Sequence, residues 1–219
     1  MLSIIIPTIN EEKSIGPVIR NIQKNLKNVH HEIIVVDTDS KDMTVNIAKS
    51  LGAKVINEPR RGYGRAYKTG FSHVKGDIIV TLDADSTYPI ESVMTLVNIL
   101  EEEKADFVSG LRMRSEGMSL SHRFGNWAIT MCANVLFFTG FKDSQSGMWV
   151  FRRRLLKKMN LTNNSWPFSG EMKIEAWRHG RFVEVPIKYR KRRGDSKVKG
   201  WDVGKENIKF LFKKRLGCS

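Results

Sequence analysis

The pattern that most constrains this chain is a repeat of short apolar runs, each closed by a polar loop and followed by a helical pattern. Leu2–Ile6 is closed by Pro7, Glu32–Val36 by Asp37, and Ile78–Leu82 by Asp83. Between them, Ile15, Val18, Ile19, Ile22 and Leu26 recur at helical spacing behind Ser14, a candidate cap; Thr44 starts a second helix ended by Gly52. Lys54–Asn57 adds a short third strand. Strands alternating with helices of this length predict an α/β fold, a mostly parallel sheet covered by helices on both faces. Ligands of such sheets gather beyond the carboxyl ends of the strands.

Three loops fall at those ends. Asp37 follows the second strand and can accept hydrogen bonds from a base or ribose. Gly62-Tyr63-Gly64 opens a helix among Arg60, Arg61, Arg65 and Lys68, an arrangement suited to phosphate. Asp83-Ala84-Asp85 places two carboxylates at i and i+2, directed the same way from an extended backbone. Such a pair suits Mg²⁺ or Mn²⁺, which takes one or two carboxylates and completes its shell with phosphate and water. Together the loops describe a nucleotide-diphosphate site. No Gly-x-Gly-x-x-Gly follows the first strand and no Gly-x-x-x-x-Gly-Lys-Ser/Thr is present, so NAD chemistry and ATP hydrolysis drop out.

The second half predicts a helix at Ile90–Glu103, strands at Asp106–Gly110, Met148–Phe151 and Phe182–Pro186, and helices at Ser121–Phe138, Arg153–Met159 and Gly170–His179. A basic run (Lys188, Arg190 to Arg193, Lys197, Lys199) leads to an amphipathic helix, Val203–Leu216, in which Ile208, Leu211 and Phe212 oppose Lys205, Lys209, Lys213 and Lys214. The formal net charge of +14 calls for an anionic partner. No stretch reaches the roughly 18 apolar residues of a membrane span. Cys132 and Cys218 lack metal spacing and fit a reducing compartment.

Five motifs in order carry a resemblance: Ile4 to Glu12, Val35-Val36-Asp37-Thr38-Asp39-Ser40, Gly62 to Ala66, Asp83-Ala84-Asp85 and Asp143-Ser144-Gln145-Ser146-Gly147. From Leu2 to about Lys199 the chain resembles the family 2 glycosyltransferases of GT-A fold, a three-layer α/β/α sandwich, and within them the dolichyl-phosphate mannose or glucose synthases. The resemblance implies a single catalytic domain over 1–199 with a basic helix at 200–219. It also implies nucleotide-sugar contacts at Pro7, Asn10, Glu11, Asp37, Asp39, Gly62, Gly64, Lys68, Asp83, Ala84 and Asp85, with Asp83 and Asp85 as metal ligands. Acceptor-phosphate contacts fall at Arg112, Arg123, Ser146, Arg193 and Lys197, and catalytic roles at Asp85, Arg123 and Asp143. Two positions depart from the family's pattern: Thr38 replaces a second Asp, and Thr87 stands where some mannose synthases place a Gln metal ligand.

The expected reaction is inverting transfer from a UDP- or GDP-linked sugar to a polyprenyl phosphate. A lipid phosphate is largely ionised at neutral pH and needs a charge cradle, whereas a sugar hydroxyl needs a general base. Arg112, Arg114, Arg123 and the Arg190–Arg193 run fit the cradle; Asp143 and Glu171 are the bases kept for a hydroxyl acceptor. A sugar nucleotidyltransferase and a basic nucleic-acid-binding protein are rivals; the first lacks a glycine-rich loop after strand one, and the second leaves Asp83 and Asp85 without a use, so no nucleic acid is expected. The basic end predicts a cytoplasmic protein held peripherally on an anionic membrane surface, with room for a membrane-anchoring partner. Trp127–Phe138 either packs on the sheet or dips into that interface.

Overall fold

The computed structural model describes residues 1–113, 118–192 and 200–217. Arg114, Arg193, Lys197, Lys199 and Cys218 therefore lie outside the described residues. In chain order the strands are β1 (Leu2–Thr8), β2 (His31–Asp37), β3 (Lys54–Asn57), β4 (Ile78–Thr81), β5 (Phe107–Arg112), β6 (Trp149–Arg152) and β7 (Phe182–Ile187). The helices are α1 (Glu12–Asn25), α2 (Thr44–Ser50), α3 (Tyr63–Phe71), α4 (Val93–Glu102), α5 (Leu120–Phe137), α6 (Phe168–His179) and α7 (Gly200–Arg215). The strands make one sheet in the order β3-β2-β1-β4-β6-β5-β7, parallel except for β6, which runs antiparallel to β4 and β5.

Why this sheet takes helices on both faces is visible in β1. Ile4 and Ile6 point into a cluster with Ile15, Ile19 and Ile22 of α1 and Leu96 and Leu100 of α4. Ile5 points the other way, among Tyr67 and Phe71 of α3 and Phe168 and Met172 of α6. All three isoleucines are fully buried, and each burial contributes roughly 1.5–3 kcal/mol. The result is the expected three-layer α/β/α sandwich. A smaller third cluster joins Ile129, Ala133 and Phe137 of α5 to Ile174 of α6 and Leu211 of α7, so the C-terminal helix is docked on the body.

Local boundaries differ from the sequence reading for identifiable reasons. Ser14 lies inside α1 and does not cap it; its hydroxyl donates to Glu11 Oε2 at 2.9 Å. The expected helix at Ile90–Glu103 opens with a 3-10 turn, Ile90–Ser92, before α4. Arg153–Met159 is a 3-10 turn, Arg153–Lys157, with only Leu155 buried to hold it. On α7, Lys214 is not on the solvent face: it is buried, 3.1 Å from Glu171 and 3.0 Å from Glu175.

Candidate active site

The loops after β1 and β2 are tied to one another. Asp37 is buried and accepts from Thr8 Oγ1 (3.2 Å), Ser40 N (2.9 Å) and Ser40 Oγ (2.5 Å). Asn10, in the left-handed region at φ 50°, donates its N–H to Ser40 Oγ and accepts from Lys41 N, each at 2.8 Å. Glu11 N–H donates to Thr44 Oγ1 at 2.7 Å. Asp39 is exposed and pairs with Lys41, while Pro7 is half-buried at the end of β1. Pro7, Asn10, Glu11, Asp37 and Asp39 are thus brought to one edge, but Asp37 is occupied in holding the Ser40 turn.

Gly62, Gly64 and Lys68 are packed against a second segment of the chain. A Cβ on Gly62, whose φ is 145°, would lie 2.3 Å from Asn164 O, and one on Gly64 would lie 2.7 Å from both Asn163 O and Phe168. Two amides of the turn are already used, Arg65 N–H donating to Asn164 O and Ala66 N–H to Gly62 O. Lys68 Nζ donates to Leu161 O and Thr162 O, and burial lowers its pKa. The glycines seat α3 against the 161–166 segment. Glu171 fixes that segment from below by accepting from Thr162 and Asn163 amides; fully buried and paired with Lys214, it is no free base.

Asp83 and Asp85 leave the end of β4 as the spacing predicts. Asp85 is buried; its Oδ1 accepts from Thr87 N and Oγ1, and its Oδ2 lies 2.7 Å from Arg192 Nη2. Asp83 keeps part of its surface open to a large cleft and accepts from Tyr67 Oη at 3.4 Å. Burial, with the Asp85 charge beside it, pushes its pKa up. Ala84, between them, packs into the core, so only its backbone is free to meet a donor. A pair of hard oxygen ligands with one charge left poorly compensated fits Mg²⁺ or Mn²⁺; among the described residues no third acid, His or Cys joins them.

Around Asp83 the structure gathers all four tyrosines of the chain, a feature their scattered positions conceal. The negative charge of Asp83 raises the pKa of Tyr63, Tyr67, Tyr88 and Tyr189, in each case behind a larger effect of burial or of a neighbouring tyrosine. Tyr88 Oη accepts from Gly147 N–H at 2.7 Å, and a Cβ on Gly147 would lie 2.6 Å from Tyr63 Oη. The 143–147 loop can therefore reach Asp83 only because Gly147 has no side chain.

Arg112 and Asp143, a phosphate-cradle residue and a candidate base in the sequence, form a pair in the structure. Arg112 Nε and Nη2 reach the two Asp143 oxygens at 2.7 and 2.9 Å, both side chains being nearly buried. Buried Lys173 donates to Asp143 O, and burial brings its pKa down to about 8. Despite burial, Arg112 and Lys173 hold the Asp143 carboxyl well below the usual range. So held, Asp143 has little capacity to take a proton. Sequence reading missed Lys173, whose position on α6 looks like ordinary helix surface. Ser146 is fully buried and lines neither cleft. Arg123 is exposed on α5, over a small cleft of about 170 Å³ on the other side of Arg112.

The main cleft, about 880 Å³, runs from Asp83, Arg112 and Arg192 to walls made by α5 and α7. Its polar end holds Tyr63, Tyr88, Gln145 and Ser169; its far walls include Phe124, Ile129, Trp201, Val203 and Ile208. One end is charged, the other mixes these aromatic and aliphatic side chains with His122, Asn126 and Lys205, and the sheet edge carrying Asp37 does not line it.

Residues 3–160 match the sequence profile of glycosyl transferase family 2. This chain belongs to that family. It is 34% identical to the dolichyl-phosphate hexose transferase of Haloferax volcanii, over 98% of this chain and 96% of that protein. It is also 34% identical to the low-salt glycan biosynthesis hexosyltransferase Agl6 of the same organism, over 96% of this chain; there the match spans only about half (53%) of the relative's length. Among solved structures, glucosyl-3-phosphoglycerate synthase from Mycobacterium tuberculosis, in complex with Mn²⁺, UDP and glucosyl-3-phosphoglycerate, superposes with a TM-score of 0.78 at 22% identity, covering all of this chain and 81% of that one. That likeness establishes the GT-A fold for the family 2 chain described here.

Proposed function

We propose that this glycosyltransferase moves a hexose from a nucleotide-diphosphate sugar to a polyprenyl phosphate of the dolichyl type, with inversion. The observation that carries the reading is the two-ended cleft: acids and guanidinium groups at one end, aromatic and aliphatic side chains at the other. A small polar acceptor such as phosphoglycerate has no use for the apolar length, whereas a lipid phosphate uses both ends.

Asp83 and Asp85 would hold Mg²⁺ or Mn²⁺ on the donor diphosphate, and the bound cation supplies Lewis-acid stabilisation of the departing nucleotide. Asp37, with Pro7, Asn10, Glu11 and Asp39, forms the edge that would take the nucleoside. The tyrosines and the 143–147 loop wall Asp83 on the sides not open to the cleft. Arg192, 2.7 Å from Asp85, and Arg112, its guanidinium 5.4 Å from the centre of the Tyr189 ring, would supply positive charge beside an acceptor anion. A lipid phosphate is already ionised at pH 7 and attacks without a general base. That suits a site where Asp143 and Glu171 are both neutralised by cations. His122 also lines the cleft; a hydroxyl acceptor would call on it as base, and loss of transfer in His122→Gln would favour that reading.

The cleft opens beside exposed Phe124, Trp127 and Trp201, flanked by Lys205 and Lys209. Among the described residues no helix is long and apolar enough to cross a membrane. Peripheral docking on an anionic leaflet is part of the proposal, each basic residue near the surface contributing about 1 kcal/mol. The deciding experiment offers labelled UDP- and GDP-sugars to the protein with polyprenyl phosphate or 3-phosphoglycerate, with Mn²⁺ or EDTA. Metal-dependent formation of a glycosylated lipid phosphate is expected; transfer to phosphoglycerate alone would overturn the reading.

A further inference from the structure

Three of the described helical glycines have a steric reason, and a Cβ on Gly170 of α6 meets only Gln145 among the described residues, at an ordinary 3.7 Å. A Cβ on Gly64 or Gly70 of α3 would come within 2.7 Å of its neighbours, and one on Gly16 of α1 within 3.1 Å. Gly125 of α5 and Gly204 of α7 have none: among the described residues a Cβ on either meets nothing within 4 Å, and neither has a positive φ. Glycine inside a helix is nevertheless unfavourable relative to alanine, because more backbone freedom is lost on folding.

Their surroundings supply a reason. On α5 the cleft is lined by residues 121–129 except Arg123 and Trp127, with Gly125 at the middle of the stretch. On α7 it is lined by Trp201, Val203, Gly204, Lys205 and Ile208, again with the glycine at the middle. The two helices pack on each other through Leu211, Ile129 and Ala133, which fixes their separation. The bore between them is then set by what the central positions carry.

We infer that Gly125 and Gly204 are the specificity-determining residues for acceptor length, holding open the groove through which an isoprenoid chain leaves the phosphate end of the site. This rests on the lipid-phosphate reading above. The occupant is a flexible branched hydrocarbon anchored by an anion: the groove is continuous with Arg112 and Arg192, and beyond them Phe124, Ile129, Trp201, Val203 and Ile208 give its walls an aromatic and aliphatic surface, interrupted by His122 and Lys205. Leucine at either glycine would fill the bore without touching Asp83, Asp85 or the edge that takes the nucleoside.

The test compares Gly125→Leu and Gly204→Leu with wild type, using a long-chain polyprenyl phosphate and citronellyl phosphate as acceptors. The readout is the ratio of kcat/KM for the long acceptor to that for the short one. Overpacking of a fitted groove predicts that each variant lowers this ratio about tenfold or more. Thermal melting and calorimetric UDP–Mn²⁺ binding report the fold and the donor site. Melting at or above the wild-type temperature is expected, since leucine is the better helix former. Gly125→Ala, with its smaller side chain, should give an intermediate ratio. An unchanged ratio in folded variants would overturn the inference and leave the lipid-phosphate reading standing. Wild-type protein that uses neither lipid phosphate, yet glycosylates another acceptor, would overturn both.

Discussion

At the rim made by the loops after β1 to β4, a Cβ added to Gly62 would lie 2.3 Å from Asn164 O, while among the described residues one added to Gly125 or Gly204 on the flank meets nothing within 4 Å. The same contrast runs through the side chains. At the rim Asp37, Asp85 and Lys68 are all engaged by neighbours. On the flank Phe124 is 68% exposed and Trp201 85%. A rim packed this tightly holds a few donor atoms in one geometry. The flank is left free to accommodate chains that vary.

Breaking the rim at its acids gives the largest effect. Asp85→Ala should lower sugar transfer about a thousandfold, the equivalent of several kcal/mol of lost leaving-group stabilisation, with unchanged circular dichroism. Arg112→Met should destabilise the fold by about 3–5 kcal/mol in urea titrations, because Asp143 is left buried and unpaired. The pair also sets an acid limit. Asp143 titrates lower in the folded state than in the unfolded chain, so its contribution is complete above the ordinary carboxylate pKa of about 4 and is lost as pH falls below it; Arg112→Met should flatten that acid loss.

Smaller effects sharpen the comparison. Gly62→Ala forces a strained φ and a backbone clash and should destabilise by roughly 3 kcal/mol. Arg192→Gln should tighten Mn²⁺ binding, followed by electron paramagnetic resonance, about threefold to tenfold by removing a competing cation from Asp85. Gly125→Ala should have the opposite sign to Gly62→Ala, raising stability by about 0.5–1 kcal/mol. Equal losses at Gly62 and Gly125 would erase the distinction between rim and flank.

The order and faces of the central elements were legible because β-branched runs such as Ile33–Val36 and spaced apolar residues such as Ile15, Ile19 and Ile22 report burial directly. The position of Asp83 and Asp85 just past β4 was legible because the apolar run Ile78–Leu82 marks the strand, although the strand ends at Thr81 and Ala84–Asp85 form a turn. What escaped depends on partners far apart in the chain. Nothing near Asp143 announces Arg112, 31 residues away, nor Lys173 beneath it. The Gly62-Tyr63-Gly64 loop looks like a phosphate turn because sequence does not show Asn163 and Asn164 arriving against it. Thr87 is a third case: standing where a Gln ligand was sought, it donates to Asp85 and orients that carboxylate.

The reversed direction of β6 has its own consequence. In a wholly parallel sheet, only segments that leave a strand can furnish the working edge. Because β6 runs backwards between β4 and β5, the segment entering it, 143–147, lands on the same edge as the acids leaving β4. One inverted strand thereby lets a chain of modest length bring a second wall to its carboxylates from a part of the sequence some sixty residues later, as the 59-residue span from Tyr88 to Gly147 shows.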